Sequence, residues 1–161
     1  MRSIVRRLAH LALLPVAVLG VVAVASPAEA AAPTTVQLQS DILAATNVQR
    51  VKAGCSKIRL DANIARAARN HSAWMARTGT FSHVGISSSS FVTRVKAQGY
   101  TAPLSENIAW GYRTGSAVVA AWMKSPGHRA NILNCKARAV GVGAVYAANG
   151  NPYYTQDFGS R

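Results

Sequence analysis

Hydrophobic residues recur at helical spacing twice in the first half of the chain. One helix is predicted over 36–53, where apolar residues return every three or four positions until Gly54 ends the pattern. A second helix is predicted to start after Asp61, a good capping residue, and to end at Gly79. One broad face of this helix carries Ile64, Ala67, Ala68, His71, Trp74 and Met75. Residues 31–35 are expected to form a short flexible lead-in.

Three shorter helices are predicted farther along the chain. One spans 91–98, after a run of serines, and another spans 114–124, which carries several large apolar residues. The third begins at Ser125 and Pro126, because serine caps helices and proline suits the first helical position. This start places His128 in the first turn of the last helix.

A strand is predicted over 104–111, between the third and fourth helices. Its alternating residues put Glu106, Ile108 and Trp110 on one side. Glutamate has a low strand propensity, so Glu106 needs an explanation. Two alternatives are open: the carboxylate lies at the sheet edge in contact with water, or it is held by cations or a metal.

The last part of the domain is predicted to be a β-hairpin over 139–159. Two apolar strands flank Asn149 and Gly150, a pair typical of hairpin turns. Gly141 and Gly143 share one strand face, which indicates close approach by a packed element. Helices followed by a hairpin predict an α+β fold in which the helices pack on a small antiparallel sheet.

The first thirty residues have the features of a secretory signal peptide. Three arginines lie within the first seven positions, an apolar run follows over 11–25, and 28–30 form a small-x-small cleavage site. The apolar run is too short for a membrane span. We therefore expect a secreted, extracellular protein that starts at Ala31 and has no transmembrane segment.

The expected mature chain is strongly basic. Three of the 18 Lys and Arg residues and one of the five acidic residues lie in the first thirty positions, which leaves 15 against 4 and a net charge of +11. Such a surface favours an anionic cell-envelope polymer or lipid. The alternative is a merely solvated basic face. The basic residues are scattered and no nucleic-acid motif is present, so a specific nucleic-acid partner is not expected. We expect a monomer.

Two cysteines, Cys55 and Cys135, are the only ones in the chain. Their spacing fits no compact metal motif, and export implies an oxidising compartment. We therefore predict a disulfide between them.

Candidate chemistry is confined to few residues, because the mature chain has one glutamate and three histidines. His71 lies on an apolar helix face and is predicted to be a hydrogen-bonded core residue. His83 follows a helix stop and is predicted to lie in a loop. The helix start disfavours a charged imidazole at His128, and zinc requires neutral imidazole. His83, Glu106 and His128 could hold a zinc ion with one position left for water, if the fold brings them together.

Five motifs, in order, resemble the bacterial branch of the CAP superfamily, named for cysteine-rich secretory proteins, antigen 5 and pathogenesis-related protein 1. They are FSHVG, SENIAWGY, AAWMKSPGHRANILN, VGVGAVY and YYTQDFG. The resemblance covers about 36–159, so we assign 36–161 to a single CAP domain. It implies a three-layer α-β-α sandwich whose cleft is lined by two histidines and two acidic residues.

The family pattern maps onto His83, Glu106 and His128, but the second acid is absent. The segment WMKSPGH offers Lys124 and Ser125 where the family has a carboxylate. The resemblance further implies a ligand cleft, to which we assign Asn107, Trp110 and Ser125.

Three functions follow as alternatives, and whether the protein is an enzyme stays open. The first is a secreted protein with a zinc-capable cleft that binds a lipid or cell-envelope ligand. The second is a zinc-dependent hydrolase of peptide or cell-wall amide bonds, with Glu106 as the general base. The third is a polyanion binder that acts through charge alone.

Overall fold

A four-stranded sheet separates two layers of helices in the computed structural model, which describes residues 31–161. The predicted signal peptide lies outside the described residues. The elements within 31–161 are α1 (Thr35–Lys52), β1 (Arg59–Leu60), α2 (Ala62–Thr78), a 3₁₀ turn (Ile86–Ser88), α3 (Phe91–Ala97), β2 (Pro103–Trp110), α4 (Gly115–Lys124), α5 (Pro126–Ile132), β3 (Ala139–Tyr146) and β4 (Pro152–Gly159). None of these helices is both long enough and apolar enough to cross a bilayer.

The sheet has the strand order β1-β3-β4-β2. The hairpin strands β3 and β4 pair antiparallel, and β2 pairs antiparallel with the other side of β4. The predicted antiparallel sheet is formed by β2, β3 and β4, and the two-residue β1 adds a parallel edge by pairing with β3 through Arg59 and Leu60. Such a short pairing rests on backbone hydrogen bonds and leaves no alternating pattern in the sequence.

Alternating residues of β3 face the two helical layers. Val140 and Val142 pack in the main core with Leu38 of α1 and Val118 of α4. The intervening glycines face α2 on the other side of the sheet. Helices α1, α4 and α5 thus pack against one face of the sheet, and α2 and α3 pack against the other. This arrangement confirms the predicted three-layer α-β-α sandwich.

The close approach predicted at Gly141 and Gly143 is confirmed. A Cβ atom on Gly141 would meet the α2 backbone at Ile64 and Ala65, and one on Gly143 would meet it at Ala68. Glycine therefore lets α2 lie directly on the sheet, which fixes the position of the helix whose C-terminal end leads to His83.

The helix ends follow the predicted capping signals in most cases. Asp61 caps α2 by accepting hydrogen bonds from two backbone N–H groups, and Gly79 ends the helix in the left-handed conformation at φ 71°. Thr34 caps α1, which begins at the end of the predicted lead-in. At α5, Pro126 takes the first helical position as predicted, but the side chain of Ser125 makes no capping hydrogen bond, so the predicted serine cap was wrong.

The predicted disulfide between Cys55 and Cys135 is confirmed. It joins the loop after α1 to the turn after α5, and the buried Arg50 spans the same two segments. The Arg50 guanidinium donates to the carbonyls of Ser56, Ile132, Asn134 and Ala137 at 2.8–3.1 Å. The disulfide and the hydrogen bonds of Arg50 both hold the C-terminal end of α5, the helix that carries His128.

Candidate functional site

The side chain of Glu106 lies in the interior of the protein and contacts an imidazole and a guanidinium. It projects from β2, the edge strand of the sheet, and is 1% exposed. One carboxylate oxygen accepts from Nδ1 of His83 at 2.8 Å, and the other accepts from the guanidinium of Arg94 at 2.5 Å. Of the two alternatives left open by the sequence, the structure favours a buried carboxylate held by a cation, the guanidinium of Arg94, together with the imidazole of His83.

These two partners decide the ionisation state of Glu106. Burial by itself would raise its pKa, but the hydrogen bond from His83 and the charge of Arg94 outweigh it, so the pKa lies below its ordinary value. Since the carboxylate accepts from Nδ1 of His83, that nitrogen carries the proton. The neutral tautomer of His83 then leaves its Nε2 nitrogen unprotonated.

Arg94 also fixes the loop that carries His83. Its guanidinium donates to the carbonyls of His83 at 3.0 Å and Ser89 at 2.7 Å, and its side chain is only 9% exposed. One arginine from α3 thus binds the loop and the β2 carboxylate together. Arg94 could not be predicted from the sequence, because one arginine among many in a basic chain carries no local signal.

His128 is half-buried in the first turn of α5, as predicted, and lines a pocket of about 280 Å³. Burial lowers its pKa, and the nearby charge of His83 lowers it further. Both effects favour the neutral imidazole that the helix start led us to expect. The two histidines reach the edge strand from opposite layers of the sandwich.

The three predicted ligands are only partly brought together. His83 and Glu106 are in direct contact, and His128 is close enough to respond to the charge of His83. Within residues 31–161, however, no three His, Cys, Asp or Glu side chains form a group that could hold a metal ion. Both oxygens of Glu106 are already engaged. A zinc site on all three residues therefore stays a prediction.

Asn107 does not line the cleft, contrary to the prediction, because its side chain points into the core and is fully buried. Its amide nitrogen donates to the carbonyl of His128 at 3.3 Å and to the side-chain oxygen of Gln156 at 3.2 Å. Its oxygen accepts from Asn131 at 2.8 Å. Asn107 therefore acts on the site indirectly, by holding the start of α5 against β2.

The structure places Trp110 and Ser125 in the same pocket as His128. Trp110 is 51% exposed and stacks on Tyr153 with ring centroids 6.4 Å apart. Phe81 and Tyr112 are further partly exposed aromatic residues of this wall. Whether Trp110 and Ser125 bind a ligand stays a prediction, but both lie where one would enter.

His71 is a core residue, as predicted, with 1% of its surface exposed. Its Nε2 donates to the carbonyl of Ser82 at 2.9 Å, which supports the loop ahead of His83. Burial is the main cause that lowers the pKa of His71, and the charge of Arg94 acts in the same direction.

A family model for the cysteine-rich secretory protein family, CAP, matches residues 43–158. The chain belongs to the CAP family. Two relatives from Bacillus subtilis (strain 168) support this assignment. The uncharacterized membrane protein YlbC is 38% identical over 122 residues, and the uncharacterized protein YkwD is 35% identical over 129 residues. These alignments cover 74% and 79% of the chain but only 34% and 49% of the relatives, so the chain spans between a third and half of their length.

Solved structures of other bacterial proteins share the same fold. An extracellular protein containing an SCP domain from Bacillus anthracis str. Ames superposes with a TM-score of 0.70 at 28% identity, covering 79% of this chain and 41% of the other. An outer surface protein from Borrelia burgdorferi reaches the same TM-score of 0.70 at 17% identity, covering 80% of this chain and 98% of the other. At that identity the second match shows the fold alone.

This CAP domain carries a second acid at an unexpected position. Lys124 and Ser125 stand where the family pattern has a carboxylate, but Asp157 of β4 lies directly opposite Glu106 in the antiparallel ladder. Burial and the charge of Glu106 raise the pKa of Asp157 well above its ordinary value. Its place beside Glu106 depends on strand register, which the sequence analysis did not establish.

Proposed function

We propose that this CAP domain is a secreted binding protein whose cleft takes a cell-envelope ligand and holds a zinc ion through His83 and His128. The observation that carries the proposal is the pairing of Nδ1 of His83 with Glu106, which orients an imidazole that lies near enough to act on the pKa of His128, a residue lining the pocket. His83 is 55% exposed and therefore accessible from solvent.

The residues present fit a zinc ion bound by two histidines, with Glu106 in a supporting role. Histidines that bind metals commonly donate their other ring N–H to a carboxylate, as His83 donates to Glu106. This contact leaves Nε2 of His83 for the metal, and the lowered pKa of His128 keeps its ring neutral. When bound, zinc would supply a Lewis-acidic attachment point for an oxygen atom of the ligand.

The wall of the pocket indicates what kind of ligand would be bound. Phe81, Trp110 and Tyr112 offer aromatic surface, while Ser125 and His128 offer polar atoms. A partly apolar molecule with a polar group directed at the histidines would satisfy both parts. A lipid or a cell-envelope fragment of this type agrees with the first function derived from the sequence.

The hydrolase alternative finds less support in this geometry. A general base must reach the water whose proton it removes. Both oxygens of Glu106 are engaged by His83 and Arg94, and its side chain is buried. The lowered pKa of Glu106 also makes it a weaker base. Non-catalytic binding is therefore the function that the site supports best.

Calorimetric titration of the mature protein with zinc chloride tests the proposal. His83→Ala and His128→Ala should each abolish measurable binding, whereas Glu106→Gln should weaken it by about 10–100-fold, the usual effect of losing a carboxylate that supports a ligand. Wild-type affinity should fall as the pH drops through the imidazole range, because protons compete for the ligands.

His71→Ala is the matched control, since it removes an imidazole that has no place in the proposed zinc site. It should lower stability but reduce zinc affinity far less than His83→Ala or His128→Ala, because His71 supports only the loop ahead of His83. Unchanged zinc affinity in folded His83→Ala or His128→Ala protein would refute the site. Turnover of a peptide or cell-wall substrate that requires zinc would favour the hydrolase instead.

A further inference from the structure

The disulfide lies at the centre of a dense group of basic side chains. Five of the 15 basic residues of the mature chain flank its two cysteines closely in sequence. All five are exposed: Lys52, Lys57, Arg59, Lys136 and Arg138. We call this surface, with the two loops that carry it, the disulfide face.

The fold brings the two basic loops into contact. The Cα atoms of Cys55 and Cys135 are 5.1 Å apart, and the backbone N–H of Arg59 donates to the carbonyl of Arg138 at 3.2 Å. Within residues 31–161 the only ion pair made by these five residues is between Arg59 and Asp61, at 3.5 Å with Arg59 exposed. An exposed pair of this kind contributes little, so the positive charge of the face is largely uncompensated.

A sixth cation lies beneath this surface. Arg50 is fully buried, and its guanidinium binds backbone carbonyls from both loops in place of a carboxylate. The charge of Arg138 acts on it strongly enough to lower its pKa, although burial lowers it more. The folded protein thus keeps like charges together here, an arrangement that an anionic partner would stabilise.

A groove adjoins the basic group on its α1 side. It has a volume of about 530 Å³ and is lined by Ala44, Asn47, Val48, Val51, Lys52 and Lys57. Two of the five basic residues therefore belong to its wall, beside valines that are about half exposed. A concave surface with apolar and cationic residues suits a narrow chain better than a flat membrane, which favours protruding apolar groups.

We propose that the disulfide face binds a linear polyanion with a phosphodiester backbone, seated along this groove and the two basic loops. Phosphate oxygens would meet the lysine and arginine side chains, and the carbon backbone between them would contact Val48 and Val51. The site shares no residue with the cleft of His83 and His128. The proposed site places on one face of the domain the envelope attachment that we expected from the net charge.

Two triple variants with the same change in charge test this location. The first is Lys57→Gln, Lys136→Gln and Arg138→Gln on the disulfide face. The second is the control Arg69→Gln, Arg77→Gln and Lys96→Gln, which lies on α2 and α3. All six side chains are exposed, so both proteins should fold. The probe is long-chain inorganic polyphosphate, which carries the phosphate charges of the proposed ligand without its carbon linkers, and its affinity is measured over a series of salt concentrations.

The first variant should bind polyphosphate at least about tenfold more weakly, and the slope of log affinity against log salt should fall by about two, since counterion release follows the number of phosphate contacts. The control should stay within about twofold of the wild type. Equal losses in both variants would overturn the proposal in favour of attraction by net charge alone.

Vesicles of phosphatidylglycerol provide the second arm of the experiment. Tighter binding to these vesicles than to polyphosphate, at equal phosphate concentration, would also overturn the proposal, because it would identify a membrane as the partner. The zinc titration of the first variant should match that of the wild type. Failure of the cleft proposal and failure of this one are therefore distinguishable.

Discussion

Glu106 and Asp157 face each other across the β2–β4 ladder, so two buried carboxyl groups lie side by side in the site. Their surroundings differ sharply. Glu106 accepts a hydrogen bond from His83 with one oxygen and from Arg94 with the other, whereas neither oxygen of Asp157 has a hydrogen-bond partner within the part of the chain that the structure describes. Because two adjacent buried carboxylates repel, the difference assigns the negative charge to Glu106 and the proton to Asp157.

Replacing Asp157 by asparagine should change how stability depends on pH. Below about pH 4 an aspartate is protonated in both folded and unfolded chains. As the pH rises above that value, the unfolded chain loses the proton but the folded chain keeps it, because the pKa of Asp157 is raised. The free energy of unfolding of the wild type therefore loses a contribution from Asp157 as the pH rises, until the pH reaches the pKa of Asp157 in the folded protein.

Asp157→Asn removes the titrating group. The free energy of unfolding of the variant should therefore rise relative to that of the wild type between about pH 4 and pH 7. Urea denaturation of both proteins at the two pH values measures the difference. Glu106 contributes in the opposite direction in both proteins, because its lowered pKa stabilises the fold above about pH 4 and that contribution is lost as the pH falls. A constant difference between the proteins would show that Asp157 ionises normally.

Arg94→Ala should destabilise the fold by about 3–5 kcal/mol at pH 7, because it leaves the buried charge of Glu106 without its strongest partner. Adding Glu106→Gln should recover part of the loss, since a neutral amide needs no counter-charge. Lys96→Ala is the matched control, because it removes an exposed cation from the same helix and should cost less than about 0.5 kcal/mol. Equal losses for Arg94→Ala and Lys96→Ala in chemical denaturation would contradict the buried pair.

Gly143→Ala should cost at least about 1–3 kcal/mol, because the new methyl group would overlap the α2 backbone at Ala68 and Arg69. Gly127→Ala is its control, since an added Cβ there meets no atom within 4 Å. Thermal unfolding of the two variants should separate them by several degrees. Similar midpoints would mean that α2 moves away from the sheet at little cost.

Alkylation of the purified protein without reductant should label no cysteine, because Cys55 and Cys135 are joined. Reduction should lower the free energy of unfolding by about 4 kcal/mol, as expected for cysteines 80 residues apart when the cross-link restricts the unfolded chain. Mass spectrometry detects the label, and denaturation with and without reductant gives the energy. A labelled thiol in the unreduced protein would count against the bond.

Local patterns in the sequence predicted most of the architecture. The five helices follow from apolar spacing and capping residues, and the hairpin follows from two apolar runs around Asn149 and Gly150. The paired glycines of β3 predicted where a helix would approach the sheet. These features depend on a residue and its near neighbours, so the chain displays them without its fold. The two-residue β1 has no such pattern and was missed.

The sequence also determined which residues could carry chemistry, because residues 31–161 contain so few histidines and carboxylates. Only the tertiary structure decided their partners. The register of β2 on β4 brings Asp157 beside Glu106, and the packing of α3 delivers Arg94 to the same carboxylate. The strand alternation that directs Glu106 towards α3 also turns Asn107 into the core. Strand register and helix packing join residues far apart in the chain, and no local pattern of side chains encodes those distances.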